Sequence, residues 1–454
     1  MALIVKNPNA RIESVKGFQI LDSRNNPTVA CRLTVGGKSV IFKVPSGAST
    51  GEKEAVELRD SDKWGVKLAV ENINTLIAGG LRMNGMPLSV SQGTVDQNLI
   101  DLDGTANKGK LGANAILSVS CAYAMAQAAY LYEVPLFRLF ADEGKLMLPV
   151  PQFNVLNAGK HADSGFEIQE TMILPAGAKT FGEAFIMGSK TRKALGAILK
   201  RLGHSTGRGD EGGFVNPFKS ADDTAKAVLD AIANAGYTPG RDIFLGFDGA
   251  FSEIFGKGLM DKEANPRDFT YHFGGKRMTP SGVAEMWADL ANKYPIISIE
   301  DGLAENDTAG WQILTSLAGN RVQLVLDDYV CTNIKEIRRA IGEGVGNSSL
   351  IKLNQIGTLT ETQQAMKLTS DAGRTNVVSH RSGETEDSFI GHFALHPLVS
   401  QIKSGSSGSD RNAKYNEIWM IEQEFPSAAY RGLAAFPPQV QEHVKGEWAK
   451  KGHA

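Results

Sequence analysis

Cysteine is scarce, with 3 in 454 residues. That excludes a disulfide framework and points to a reducing compartment. Cys31, Cys121 and Cys331 each sit in an apolar pattern and read as packing residues. Net charge is nearly absent too, at a formal −2, which excludes a partner bound by neutralising nucleic-acid phosphates. No unbroken apolar run reaches the roughly 18 residues that a membrane span needs. The apolar run at the N-terminus is too short for a signal peptide. These absences lead to the expectation of a soluble, cytoplasmic protein.

Apolar residues, in contrast, are plentiful: 42% of the chain is hydrophobic and 22% charged, enough for a sizeable core. Between residues 296 and 381, four short apolar runs each end on a reactive side chain. Those ends are Glu300, Asp327, Lys352 and His380, spaced 27, 25 and 28 residues apart. Helical patterns at 311–317, 334–341 and 360–370 lie between them. Strands alternating with helices predict a parallel sheet, and reactive groups at the strand ends predict a (β/α)8 barrel active site.

Ahead of the barrel, residues 12–44 predict a three-stranded antiparallel meander. Val29, Cys31, Leu33 and Val35 alternate with Ala30, Arg32 and Thr34, and Gly36-Gly37 makes a hairpin turn. Residues 45–51 are small and polar, which suits either a flexible linker or a mobile lid over a ligand. Helices are expected near 63–82 and 112–131. The whole is an α+β N-terminal capping domain over residues 1–148, and prolines 149 and 151 open a catalytic barrel domain over 149–454. Within it the pattern predicts a strand over 166–174, helices near 180–203, 221–235 and 281–293, and a strand ending at Asp248. A polar excursion is expected over 254–278 and a closing helix near 411–424. No internal repeat is visible beyond this rhythm.

Asp248, Glu300 and Asp327 each end an apolar strand. Singly, each suits a helix cap. Together at a barrel mouth they repel unless a cation joins them, and hard oxygen ligands select Mg²⁺, Mn²⁺ or Ca²⁺ over zinc. Lys352, one strand later, is either salt-bridged or a general base. Arg381 and Lys403 suit carboxylate or phosphate. His380 suits a structural role as well as a site role, and Asp210-Glu211 suits an acidic turn. Spacing and chemistry lead to proton abstraction or metal-assisted elimination on an anionic substrate.

Eight segments carry a resemblance: Asp22-Ser-Arg-Asn-Asn-Pro-Thr28, Pro45-Ser-Gly-Ala-Ser-Thr-Gly51, Leu102-Asp-Gly-Thr105, Leu111-Gly-Ala-Asn-Ala-Ile116, Gly209-Asp-Glu-Gly-Gly213, Ser298-Ile-Glu-Asp301, Lys352-Leu-Asn-Gln-Ile-Gly-Thr358 and Ser379-His-Arg-Ser-Gly-Glu-Thr-Glu-Asp387. In this order they resemble the enolases, lyases that interconvert 2-phosphoglycerate and phosphoenolpyruvate in glycolysis and gluconeogenesis. The likeness covers nearly the whole chain.

The resemblance implies two Mg²⁺ per active site and a homodimer. Asp248, Glu300 and Asp327 would hold the first ion, and Ser49 would join the substrate phosphate at the second. Lys352 would remove the C2 proton, aided by nearby cations that keep a fraction of it neutral. Glu211 would protonate the departing hydroxyl, with Glu170 in support and His161 on a second mobile loop. Arg381 and Ser382 would bind phosphate and Lys403 carboxylate, with His161, Glu170, Glu300, Asp327, Ser379 and His380 also binding the substrate. Asn25 replaces a usual glycine, Gly302-Leu303 a usual Pro-Phe, and Ala158-Gly159-Lys160 and the 406–411 segment also depart from family wording. None of these removes an implied chemical group. The alternative function is a non-catalytic or additional binding role on the same fold.

Overall fold

The computed structural model describes residues 3–47, 53–162, 164–256 and 269–450. Three antiparallel strands open the fold: β1 (Ser14–Leu21), β2 (Pro27–Val35) and β3 (Lys38–Lys43). Gly36 and Gly37 turn the chain between β2 and β3 with φ of 58° and 72°, a left-handed pair that side chains disfavour. Val29, Cys31 and Leu33 are buried while Arg32 faces out, the expected period of two.

The helix Ala113–Ala126, continued by a π-helical turn over Gln127–Tyr132, packs against β2 and β3. Over Ala113–Tyr132 this segment is, by length and composition, long and apolar enough to cross a membrane, although no unbroken apolar run reaches that length. Asn114, Ser118 and Ser120 interrupt the run, yet all three are buried. With 78% of its apolar window inside the protein, it is placed as a core helix.

Among the described residues, two helices of more than ten residues lie outside the sequence expectations, Gln92–Asp103 and Pro438–Lys450. The first has Ser91 as its cap and Gly104 (φ 69°) at its end, but buries Asp96 and Asp103 beside Val95 and Leu99, which blurs its apolar stripe. The second buries Val440 and Val444 against the barrel floor, too short a stripe to stand out. The helix expected near 63–82 runs from Lys67 to Gly80 in three joined pieces.

Eight strands close the barrel: β4 (Val150–Asn157), β5 (Glu170–Leu174), β6 (Phe244–Asp248), β7 (Ile296–Glu300), β8 (Gln323–Leu326), β9 (Ser348–Ile351), β10 (Thr375–Ser379) and β11 (Gln401–Lys403). Lys403 opposite Gln152 seals β11 to β4. The strand–helix rhythm predicts a parallel sheet, and the structure corrects this at one strand: β5 runs antiparallel to both neighbours. It also begins at Glu170 rather than at residue 166. Among the described residues, the link from β4 to β5 has no helix beyond the 3₁₀ turn Gly159–His161, and a parallel return normally needs a helical crossover. Reversal puts the first residue of β5 at the barrel mouth, where Glu170 pairs in register with Asp248.

Side chains two residues before the mouth fill the layer below it. Val325, Leu350 and Val377 cluster beneath Asp327, Lys352 and Ser379. Gln401, beneath Lys403, accepts from Gln152 at 2.6 Å and Gln323 at 3.1 Å, and Gln323 donates to Ser298 at 3.1 Å. The barrel is thus a packed core that fixes the rim from below.

The helix Phe181–Arg201 packs on β4 so closely that a Cβ at Gly188 would lie 2.5 Å from the Phe153 ring. Gly188→Val should destabilise the protein by about 1–3 kcal/mol through overpacking, read from the denaturant midpoint. Gly79→Ala, with no neighbour within 4 Å in a helix, should be neutral or stabilising. Equal midpoints for the two variants would contradict the packing described.

Candidate active site

Each strand delivers a polar group to one end of the barrel. Asp248 and Glu300 end β6 and β7 as partners in register. Asp327 and Lys352 directly follow β8 and β9, while Ser379 and Lys403 end β10 and β11 as partners. His161 comes from the 3₁₀ turn after β4. Glu211 precedes the short strand Phe214–Val215, which pairs along β4. With Glu170, His380, Arg381 and Ser382, all of these except Glu300 line a single cavity of about 40 Å³. Glu300 is buried beneath it, against Lys403.

Ser49 lies outside the described residues. On either side of that segment, the capping domain reaches the rim. Ser46 exchanges backbone hydrogen bonds of 2.7 and 2.8 Å with Gly383. Glu54 takes both arms of the Arg381 guanidinium, at 3.0 and 3.2 Å, and Asn354 accepts from Arg381 at 3.0 Å.

Two ammonium groups balance the carboxylates. Lys403 Nζ lies 2.8 Å from Glu170, 3.2 Å from Asp248 and 2.9 Å from Glu300. Burial disfavours its charge, but the carboxylates outweigh burial and raise its pKa. Lys352 Nζ donates to Asp327 Oδ2 at 2.5 Å, while Gln355 donates to Oδ1 at 2.8 Å. In the ion-free site the partial neutrality expected of Lys352 beside bound cations is not seen. Burial does lower its pKa, but Asp327 outweighs that and holds the lysine protonated.

His161 Nδ1 lies 3.3 Å from Glu170 and 3.7 Å from Glu211, and His380 Nε2 lies 3.1 Å from the other Glu211 oxygen. Burial would raise the Glu211 carboxyl, but His380, His161 and Lys403 outweigh it and hold it well below the usual range. Glu170 behaves oppositely: burial, then Glu211, pushes it up to about 7 against the pull of Lys403. Ligand-free, Glu211 is therefore an anion.

The donor set suits a hard divalent cation. Asp248, Glu300 and Asp327 offer carboxylate oxygens at adjacent strand ends, and Glu300 Oε2 is buried without a hydrogen-bond partner. His161, Glu170 and Glu211 also bring ligand atoms within 4.8 Å of one another, all buried. Asp301, Asp327 and Asp328 do the same, but Asp301 accepts from the amides of Asp327 at 2.9 Å and Asp328 at 3.0 Å, so it acts as a backbone clamp.

Sequence reasoning missed Glu54, Asp301, Gln355 and Arg411. Asp301 and Gln355 stand inside recognised segments, and their side chains turn to neighbours of the site rather than to its centre. Arg411 and Glu54 come from distant chain and have no local signal.

Two family models match the chain. Residues 12–140 match one described as Enolase, N-terminal domain, and residues 145–438 match one described as Enolase, C-terminal TIM barrel domain.

Lys403→Met would strip three buried carboxylates of their shared cation. The expected cost is about 3–5 kcal/mol, seen as a lower melting temperature in chelator, with Mg²⁺ restoring most of it. An unchanged melting temperature in chelator would show that the carboxylates do not depend on this lysine.

Proposed function

The chain belongs to the enolase family, and from that membership we propose how its residues divide the work of the reaction it catalyses. That reaction is the Mg²⁺-dependent reversible dehydration of 2-phosphoglycerate to phosphoenolpyruvate, a hydro-lyase step of glycolysis and gluconeogenesis. The observation that carries the assignment is a single cavity holding a lysine on a carboxylate, Lys352 on Asp327, and a glutamate between two histidines, Glu211.

Lys352 takes the C2 proton. Glu211 donates a proton to the departing C3 hydroxyl, with Glu170 and His161 beside it to hold and pass that proton. Arg381 and Ser382 bind the phosphate, next to Ser379 and His380, and Lys403 pairs with the carboxylate. Asp248, Glu300 and Asp327 would hold one Mg²⁺, and Ser49 with the phosphate a second. When bound, the ions offset the negative charge that builds up as C2 loses its proton, and they compete with Lys352 for Asp327. Asp327 would thus serve both a divalent ion and Lys352, its partner in the ion-free site.

We place the domain division at 148/149, where β4 is about to begin, and the active unit in the cytoplasm as a homodimer. Three buried free thiols support a reducing compartment. Ile186 and Met420, 42% and 50% exposed on helices that pack together, supply an apolar face for a second copy. A monomeric mass at micromolar concentration would count against the dimer.

Phosphoenolpyruvate absorbance should rise with enzyme and Mg²⁺, stop in chelator and return with added Mg²⁺; Asp327→Ala should weaken the Mg²⁺ dependence and slow turnover. The two proton-transfer roles separate in D₂O. Lys352→Ala should abolish both C2 exchange and turnover, whereas Glu211→Gln should block dehydration and leave C2 exchange measurable by NMR. Each loss is expected at about 10²–10⁴-fold. Near-normal exchange with Lys352→Ala would remove the lysine from its role.

A further inference from the structure

The helix Ser409–Glu424 starts shortly after β11 and carries Arg411 in its first turn. This guanidinium is 0% exposed. A buried arginine is rare, and a cation at a helix N-terminus faces the unfavourable end of the dipole. Asp410, 2.8 Å from Nε, offsets part of that charge. The remaining nitrogens reach two separate loops. Nη1 lies 2.5 Å from His380 Nδ1 and donates to the Arg381 carbonyl at 2.5 Å. Nη2 donates to the carbonyls of Ser382 at 2.6 Å and Asp210 at 2.8 Å.

An arginine only donates, so His380 Nδ1 must be the acceptor and the ring proton sits on Nε2. Nε2 is the atom that faces Glu211, at 3.1 Å. Burial, helped by Arg411 and opposed by Glu211, lowers the His380 pKa to about 4, so the ring is neutral. The other tautomer would turn a lone pair on the Glu211 carboxylate. The Glu211 loop is joined to the same segment by its backbone: Ser406 N donates to the Glu211 carbonyl at 3.2 Å, and a Cβ at Gly212 (φ +84°) would lie 2.1 Å from the Ser407 carbonyl.

We propose that Arg411 is a positioning residue for the proton-donor side of the site: it holds His380 in the tautomer that presents N–H to Glu211 and ties the Glu211 loop to the 380–382 turn. The importance of this for turnover rests on the assignment of Glu211 as the acid. Four acceptors shared between two nitrogens match a guanidinium fork, and an ammonium cannot reach them all.

The test uses full-length enzyme with Mg²⁺, as wild type, Arg411→Lys and Arg411→Gln. In ¹⁵N-histidine-labelled wild type, His380 should show an unprotonated Nδ1 and a protonated Nε2. Both variants should lose that signature or show tautomer exchange. Dehydration should fall about 10²-fold, the effect of a misplaced reacting group, while C2 exchange falls by less than about tenfold and KM stays close to wild type. An Nδ1–H tautomer in the wild type overturns the proposal, and this outcome does not depend on any variant folding. Equal losses of exchange and dehydration in a folded variant also overturn it, because a merely structural role slows both. Failure of the Glu211 assignment is read separately: Glu211→Gln would then lose exchange and dehydration together, whereas the His380 signature in the Arg411 variants would still decide whether Arg411 sets the tautomer.

Discussion

The barrel mouth gathers more negative charge than it can hold without buried cations, and Lys403 is the group on which the arrangement depends. Its ammonium meets three carboxylates from three strands, Glu170, Asp248 and Glu300. Desolvating these ions costs about as much as their attraction returns, so such a cluster is a poor device for stability. It is a good device for placing charges, because each strand end is fixed from below by interlocking layers. Gln401 sits two residues before Lys403 and is bonded to Gln152 and Gln323, so the lysine stem rises from a rigid floor.

The capping domain completes the site through its charges. Glu54 grips Arg381, and Ser46 pairs with Gly383, so the turn after β10 is held from outside the barrel. Further pairs spread the contact: Lys108 with Glu361 at 3.0 Å, and Asp96 accepting from the Thr360 amide at 2.9 Å. Neither the barrel nor the cap alone supplies a balanced rim, which explains why buried ion pairs recur along their contact.

The alternation of apolar runs and helices was enough to foresee a barrel, and of the four side chains with 25- to 28-residue spacing, Asp327, Lys352 and His380 line the cavity while Glu300 lies beneath it. The roles of those side chains came from resemblance, because a carboxylate at a strand end looks the same as a helix cap. Strand direction was not legible at β5. Direction depends on the link that follows β4, and that link is read as a loop whether the chain returns parallel or antiparallel. Nor was the helix Gln92–Asp103, whose inner face carries buried aspartates that mimic a solvent face. Arg411 was invisible for a similar reason: its partners are backbone carbonyls and one ring nitrogen, which leave no pattern in the sequence around it.

The ligand-free charge states are the reverse of those the proposed roles of Lys352 and Glu211 need. Lys352 is protonated by its pairing with Asp327, yet a base must be neutral. Glu211 is ionised by two histidines and Lys403, yet an acid must carry a proton. Both are held in that state by partners that the proposed mechanism also gives a ligand: Asp327 an ion, Lys403 a carboxylate. The site is therefore a set of internal pairs standing in for external ones. Under the proposed assignment, ligands that engage Asp327 and Lys403 would loosen the grip on Lys352 and on Glu211 together, so base and acid would be readied by the same binding event. Arg411 and His380 do not take part in that exchange. His380 is neutral and the Arg411 charge is met by Asp410 and backbone carbonyls, so in the proposed role they would keep Glu211 in place while its other neighbours change partners.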